Sequence, residues 1–317
     1  FCNAFLPEIA PKEKIGRVSG YGWSFGYVGG LIALALGLLL FINPEIPIFN
    51  LDKSTHEHIR GTNIMVAIWF AVFSIPTFLF VNEDHRSGKK KTNLIADSIK
   101  QIRETFRNVR QYREMTRFLI ARLIYNDGLI TVFAFGGIYA AGTFDFSFQE
   151  IMIFAIVLNV AAGLGAFLMG FLDDFIGGKQ TIQISNYGLI LACIIAVVAP
   201  NRDLFNIALP IIGDTIISGK TLFWLSGILI GIFSGPNQAS SRSLMARFVP
   251  QGKENEFFGF FAFSGKATAF LGPFFLGYFT LLFNSQRYGI AVVLCLLVIG
   301  TILLRFVDEE AGMAAAQ

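Results

Sequence analysis

Of 317 residues, 54% are hydrophobic, 15% aromatic and only 15% charged, against about 25% charged in soluble domains. With a mean hydropathy of +0.60, these proportions exclude soluble globular, disordered and disulfide-framework classes and leave an integral membrane protein. The formal net charge is only +3, which argues against nucleic-acid binding, and Cys2, Cys193 and Cys295 are too scattered for a CxxC pair or a disulfide network.

A membrane-crossing helix needs about 20 mainly apolar residues. Eight stretches qualify in chain order: 21–42, 61–81, 117–142, 148–172, 180–199, 222–241, 257–283 and 286–307. Runs such as Leu31 to Leu40 are apolar on every side, unlike the alternating strands of a membrane barrel. The expected fold class is therefore an all-α polytopic membrane protein. The chain opens on Phe1 without a basic segment or cleavage site of the signal-peptide kind, and it reads as missing its beginning.

Lys and Arg fix the orientation, because cytoplasmic loops carry an excess of them. Segments 1–20, 82–117, 173–180, 242–256 and the tail beyond 303 hold 18 of the 25, whereas 43–60, 143–147, 200–221 and 284–287 hold 5. Both ends are expected to be cytoplasmic. The long loop 82–116 carries Ile95, Ile99, Ile102, Phe106 and Val109 at helical spacing, with Lys100, Arg103, Arg107 and Arg110 on other faces. This describes an amphipathic helix lying on anionic headgroups.

Phe5-Leu6-Pro7-Glu8 followed by Gly20, Tyr21 and Gly26 recurs as Phe248-Val249-Pro250-Gln251 followed by Gly259, Phe260 and Gly265. Six spans separate the copies, which suggests a parallel six-helix repeat. On that reading the complete protein has twelve spans, four of them ahead of Phe5. The domains are 1–81, closing an N-terminal bundle with two spans; 82–116, the linker; 117–307, a C-terminal bundle; and 308–317, a cytoplasmic tail.

Ionisable groups inside spans cost about 2.5–3.5 kcal/mol on insertion scales and mark function by default. Arg122, Asp127 and Lys266 are such groups. Arg122, about one turn into its span, can snorkel to headgroups. It and Asp127 lie roughly 140° apart on a helical wheel, so Asp127 needs a partner elsewhere. Lys266, in the small and hydroxyl stripe Ser264 to Ala269 with Thr268, has three open roles: binding a substrate carboxylate, pairing with Asp127, or exchanging a proton. Asn126, Asn237 and Gln238 are candidate cavity groups, the last two beside Gly235-Pro236, where proline removes a backbone hydrogen bond. Gly22, Gly26, Gly29 and Gly30 read as helix-packing positions. His56, His58 and His85 fall in loops without metal-ligand spacing, and no nucleotide motif occurs. No metal or cofactor is expected.

Asn3-Ala-Phe-Leu-Pro-Glu-Ile, Arg17-Val-Ser-Gly-Tyr-Gly-Trp, Tyr125-Asn-Asp-Gly, Ser241-Arg-Ser-Leu-Met-Ala-Arg and Phe263-Ser-Gly-Lys-Ala-Thr-Ala resemble recurring segments of the vacuole-effluxer-like branch of the major facilitator superfamily. Gly170-Phe-Leu-Asp-Asp-Phe-Ile-Gly-Gly-Lys179 resembles the superfamily loop motif, keeping Gly170, Asp174, Gly177 and Lys179 while Phe175 and Gly178 replace its arginines. The first span resembles the antiporter glycine motif, with Tyr27 in place of its proline. The resemblance implies two six-helix bundles rocking about a central cavity, lined by the Asn126–Asp127 and Gly235 helices, with Asp174 in a gating loop. It also implies secondary transport of a small polar solute, an amino acid on family grounds, with no coupling ion assigned. A receptor or scaffold using the basic loop is the alternative; an enzyme lacks the necessary residues. The absence of any Asn-x-Ser/Thr sequon favours a bacterial inner membrane, or a vacuolar membrane in a eukaryote, for a protein read as a monomer.

Overall fold

A computed structural model describes residues 2–81, 112–199 and 218–316. Among these the regular structure is helical: α1 (Ile15–Gly37), α2 (Glu57–Phe80), α3 (Arg113–Phe144), α4 (Phe148–Ile176), α5 (Gly178–Val198), α6 (Gly219–Phe248), α7 (Glu254–Ser264), α8 (Leu271–Leu282), α9 (Gln286–Arg305) and α10 (Glu309–Ala314). The amphipathic stripe from Ile95 to Val109 lies outside the described residues.

Six helical stretches are long and apolar enough to cross a membrane, and the other two expected spans depart for identifiable reasons. The span expected at 222–241 sits inside the 30-residue α6, whose Gly235 to Ser241 stretch makes it too polar to qualify. The span expected at 257–283 is two helices, α7 and α8, separated by turns from Gly265 to Phe270. The supposed linker also ends early, since Arg113 to Thr116 belong to α3.

Local signals explain the boundaries. Asp145, at φ 53°, ends α3 in the left-handed region that Asp tolerates. Two residues on, Ser147 and Glu150 form a reciprocal capping box that starts α4.

In lipid, apolar burial between helices stabilises little, because acyl tails are as apolar as leucine; close backbone packing carries the association. Glycines supply it. A Cβ on Gly20 would lie 2.5 Å from the Ala166 carbonyl oxygen, and one on Gly170 would lie 3.1 Å from Arg17 Cα, so α1 and α4 touch backbone to backbone. Gly231 and Gly235 of α6 bring that helix equally close to the Leu158 and Ala162 carbonyls of α4. The arrangement runs α1, α4, α6, α5, α9, α3, with α8 against α9 and α3, while among the described residues α2 packs mainly against the end of α1 and the turn that follows it.

Candidate functional site

The interrupted helix faces α3. A helix end leaves backbone groups without partners, and in a membrane these must be met by protein. At the C-terminal end of α7, the Arg122 guanidinium donates to the Phe261 carbonyl and to Ser264 Oγ, both at 2.8 Å, and lies 3.6 Å from the Phe261 ring centroid. Asn126 Nδ2 donates to the Gly265 carbonyl at 3.0 Å. At the N-terminal end of α8, the Asp127 carboxylate lies against the Gly272 backbone N–H. Among the described residues Asp127 Oδ1 has no hydrogen-bond partner, and Thr131 Oγ1 donates to the Asp127 carbonyl at 2.8 Å.

The signs match the helix dipole, which is negative at a C-terminus and positive at an N-terminus. Arg122 and Asp127 therefore serve different half-helices, which is why their 140° separation on α3 is productive. Both are buried, Arg122 6% and Asp127 3% exposed, so Arg122 does not snorkel to headgroups. Lys266 sits on the connecting turns, is exposed, and makes no ion pair among the described residues; of its three open roles, pairing with Asp127 is not formed here. Thr268 is on the same turns and half-buried.

A second cluster ties α1 to α4 and α6. Asp174 accepts from the Gly16 amide at 2.7 Å, the Arg17 amide at 3.3 Å and Arg17 Nε at 2.6 Å, capping the first turn of α1. Its neighbour Asp173, fully buried, pairs with Arg247 at 2.6 Å and accepts from Ser243 Oγ at 2.6 Å. Arg247 extends to Asp174 at 3.7 Å and Glu309 at 3.4 Å. Glu309 in turn takes the Gly178 and Lys179 amides, each at 2.9 Å, capping α5. Gly177, at φ 94°, makes that approach possible, because a Cβ there would meet the Glu309 carboxylate at 2.9 Å.

The sequence matches the family described as vacuole effluxer Atg22-like over residues 7–317. The chain belongs to this family. It is 26% identical over 318 residues to an uncharacterized MFS-type transporter YxiO of Bacillus subtilis, covering 100% of this chain and 69% of the relative. It is 25% identical to autophagy-related protein 22 of Cryptococcus neoformans over 95% of this chain and 52% of that protein. With its Saccharomyces cerevisiae counterpart the identity is 23%, over 95% of the chain and 58% of the relative. The chain thus spans little more than half the length of these fungal relatives. These relationships make it a member of a family of membrane transporters, and the names of its relatives point to a transporter and not to an enzyme.

Within this family frame, the remaining sequence candidates separate. Asn237 is buried, donating to Asn186 Oδ1 of α5 at 2.7 Å, while Gln238 is half-buried. α6 runs unbroken through Pro236; the Ile232 carbonyl, which proline leaves without its usual donor, lies against Gly165 of α4. Gly22 leaves room for the Arg242 guanidinium, whose Nη2 would be 2.7 Å from a Cβ there, but Gly26, Gly29 and Gly30 have nothing within 4 Å. Lys179 Nζ donates to the Arg305 carbonyl at 3.3 Å. Residues passed over in the sequence include Asp173, Arg247, Glu309 and Arg242. Arg242 donates from Nε to Ser19 Oγ at 2.9 Å and from Nη2 to the Ser19 carbonyl at 2.6 Å, joining α6 to α1. The available signal was the Asp173–Asp174 doublet facing two arginines, Arg242 and Arg247, among small residues.

Proposed function

We propose that the complete protein moves a small carboxylate-bearing solute, an amino acid, across the membrane by alternating access, and that Lys266 receives the carboxylate. The supporting observation is the interrupted helix α7–α8, in which Arg122, Asn126 and Asp127 are engaged with helix ends while Lys266 makes no ion pair among the described residues. A discontinuous membrane helix exposing backbone and an ionisable side chain is the usual construction of a transporter site. The Asp174–Arg17 and Arg242–Ser19 contacts join the α1 side to the α4 and α6 side, so an opening movement must break them. In this reading both chain ends face the cytoplasm, and these contacts hold the cytoplasmic gate closed.

The test is counterflow of a mixed amino-acid pool in proteoliposomes holding the complete protein, with and without a pH gradient, beside Lys266→Ala and Lys266→Arg. Flux present in the wild type, lost in Lys266→Ala and partly retained in Lys266→Arg supports the assignment. A correctly inserted protein that moves no amino acid under either condition removes the substrate reading. Undiminished flux in Lys266→Ala removes the residue from the site.

A further inference from the structure

Asp127 lies near the middle of α3 and is 3% exposed. Its carboxylate takes the Gly272 amide at the start of α8, but Oδ1, shielded from solvent, is left without a hydrogen-bond partner among the described residues. A Cβ on Gly272 would overlap Thr131 Oγ1, so α3 and the start of α8 meet without a gap.

No cation compensates this carboxylate: among the described residues no Lys or Arg stands within ion-pairing distance of it. On its own helix, Arg122 is bound to Phe261 and Ser264, and Tyr125 Oη is paired with Ser241 Oγ. The elements packed against α3 hold their ionisable groups elsewhere. Lys266 on the turns, Tyr278 on α8 and Cys295 on α9 are exposed. On α6, Arg242 is held by Ser19 and Arg247 by Asp173; on α9, Arg287 is held by the Val197 carbonyl and Arg305 by Tyr187. The acids of α7, Glu254 and Glu256, stand in its first turn, at the opposite end from Gly265. Beside Asp127, the contact of α9 with Gly128 is made by Val293, Leu296 and Leu297.

An ionised carboxylate buried with one oxygen empty and no counterion is costly, and a single proton removes the charge. The vacancy suits a proton and not a metal ion. Hard cations collect about six oxygens. Here the Asp127 carbonyl is already taken by Thr131 Oγ1, and no cluster of three or more His, Cys, Asp or Glu that could hold a metal occurs among the described residues. The positive end of α8, with the Gly272 amide at its tip, also repels a metal. A proton needs Oδ1 alone.

We propose that Asp127 is the proton-binding site that couples this transporter: Oδ1 takes a proton from water on one side of the membrane, the carboxylate becoming a neutral acid, and returns it to water on the other. While ionised, Asp127 holds the Gly272 amide through a charge-assisted bond. The neutral acid holds it more weakly, so proton binding loosens α8 from α3 and frees the turns that carry Lys266. Proton and solute are thereby linked through the interrupted helix. The link to solute rests on the transport reading above; the proton site does not.

The test has two arms on the complete protein. In the first, infrared spectra of the reconstituted protein are recorded during an acid titration with no solute present. The wild type should show the carbonyl stretch of a protonated acid lacking a hydrogen-bond partner, shifted by carbon-13-labelled aspartate and missing in Asp127→Asn. In Asp127→Glu the band should persist and lose its sensitivity to labelled aspartate, which decides the matter should Asp127→Asn fail to fold. In the second arm, accumulation of a mixed amino-acid pool in proteoliposomes is driven by a pH gradient or by a sodium gradient. The wild type should respond to the pH gradient and ignore sodium, and Asp127→Asn should lose the response to pH whatever flux remains. A band unchanged in both variants overturns the proposal. So does a wild-type flux that ignores the pH gradient, a pH response intact in Asp127→Asn, or accumulation driven by sodium. A wild type that moves no amino acid removes the solute reading alone, and the infrared arm then decides the proton site.

Discussion

Replacing Arg247 by Met retains the apolar stem and removes the charge that Asp173 depends on. Asp173 has no exposed side-chain surface and Arg247 only 11%, and they meet at 2.6 Å. Two unit charges at that distance attract by roughly 6 kcal/mol at an effective dielectric near 20, from which the cost of desolvating Arg247 must be subtracted. Removing one member of a buried pair costs about 3–5 kcal/mol, because the survivor is left without a counterion. Ser243 Oγ would remain as a neutral donor to Asp173. The Arg17–Asp174 pair is equally short, but the Arg17 side chain is 34% exposed and the buried Asp174 keeps the Gly16 and Arg17 amides as donors, so Arg17→Met should cost less, about 1 kcal/mol. At about 2–4 °C per kcal/mol for large domains, Arg247→Met should lower the thermal midpoint by roughly 6–20 °C. Adding Asp173→Asn to Arg247→Met should recover most of the loss, since the stranded carboxylate is gone. The assay is thermal unfolding of the four members of this cycle in one detergent, with Arg17→Met alongside. An Arg247→Met midpoint within 2 °C of Arg17→Met, or no recovery in the double variant, would refute the argument that Asp173 is a buried carboxylate held by Arg247.

Glycine substitutions should divide by position. Gly20→Leu forces α1 from α4 at the Ala166 carbonyl and should abolish a monodisperse size-exclusion peak, whereas Gly26→Ala and Gly29→Ala, with open space around them, should leave it unchanged. Asp52, in the connection after α1, has its pKa lowered below the ordinary 3.8 by hydrogen bonds from the Ser54 hydroxyl and amide. The stabilisation from those hydrogen bonds is therefore fully present above pH 3.8 and is lost as pH falls through the lowered value. Carbon-13 titration should place Asp52 below ordinary Asp, with Ser54→Ala moving it upward; an unmoved value would disprove the cause.

Apolar length alone made most membrane spans legible in the sequence, because in lipid an unbroken run of that kind has few alternatives to a helix. The interruption at Gly265 to Phe270 was hidden by the same logic: the segment continues to Phe283 as one apolar stretch. Its signature was nevertheless present. Gly265 immediately follows α7, and Pro273 lies in the first turn of α8, the glycine-after-end and proline-near-start asymmetry of helix termini. Of the proposed site, Asp127 and Lys266 were singled out because charge at membrane depth is costly, and Asn126 because it is polar and adjoins Asp127. The wheel correctly separated Arg122 from Asp127, but the half-helix ends they serve are set by tertiary structure and leave no mark in local spacing. Gly26, Gly29 and Gly30 show the converse. Their pattern resembles a packing motif; among the described residues the close contacts of α1 fall on Gly16, Gly20 and Gly22, because which face meets α4 and α6 depends on how α1 is rotated.

The last helix, α10, carries a consequence for biosynthesis. Glu309 caps an amide of α5 from 131 residues further along the chain. At synthesis rates of about 5–20 residues per second, the first turn of α5 waits roughly 7–26 s for its protein partner. For the last 62 residues of that interval Arg247, by then made, has no Glu309 to meet. The Asp173–Arg247–Glu309 cluster is thus completed only when residue 309 has left the ribosome, and a chain released before it would carry an unfinished junction. α10 is seated as closely as it is charged, because Gly312 is packed against the Phe248 ring, 2.5 Å from where its Cβ would lie.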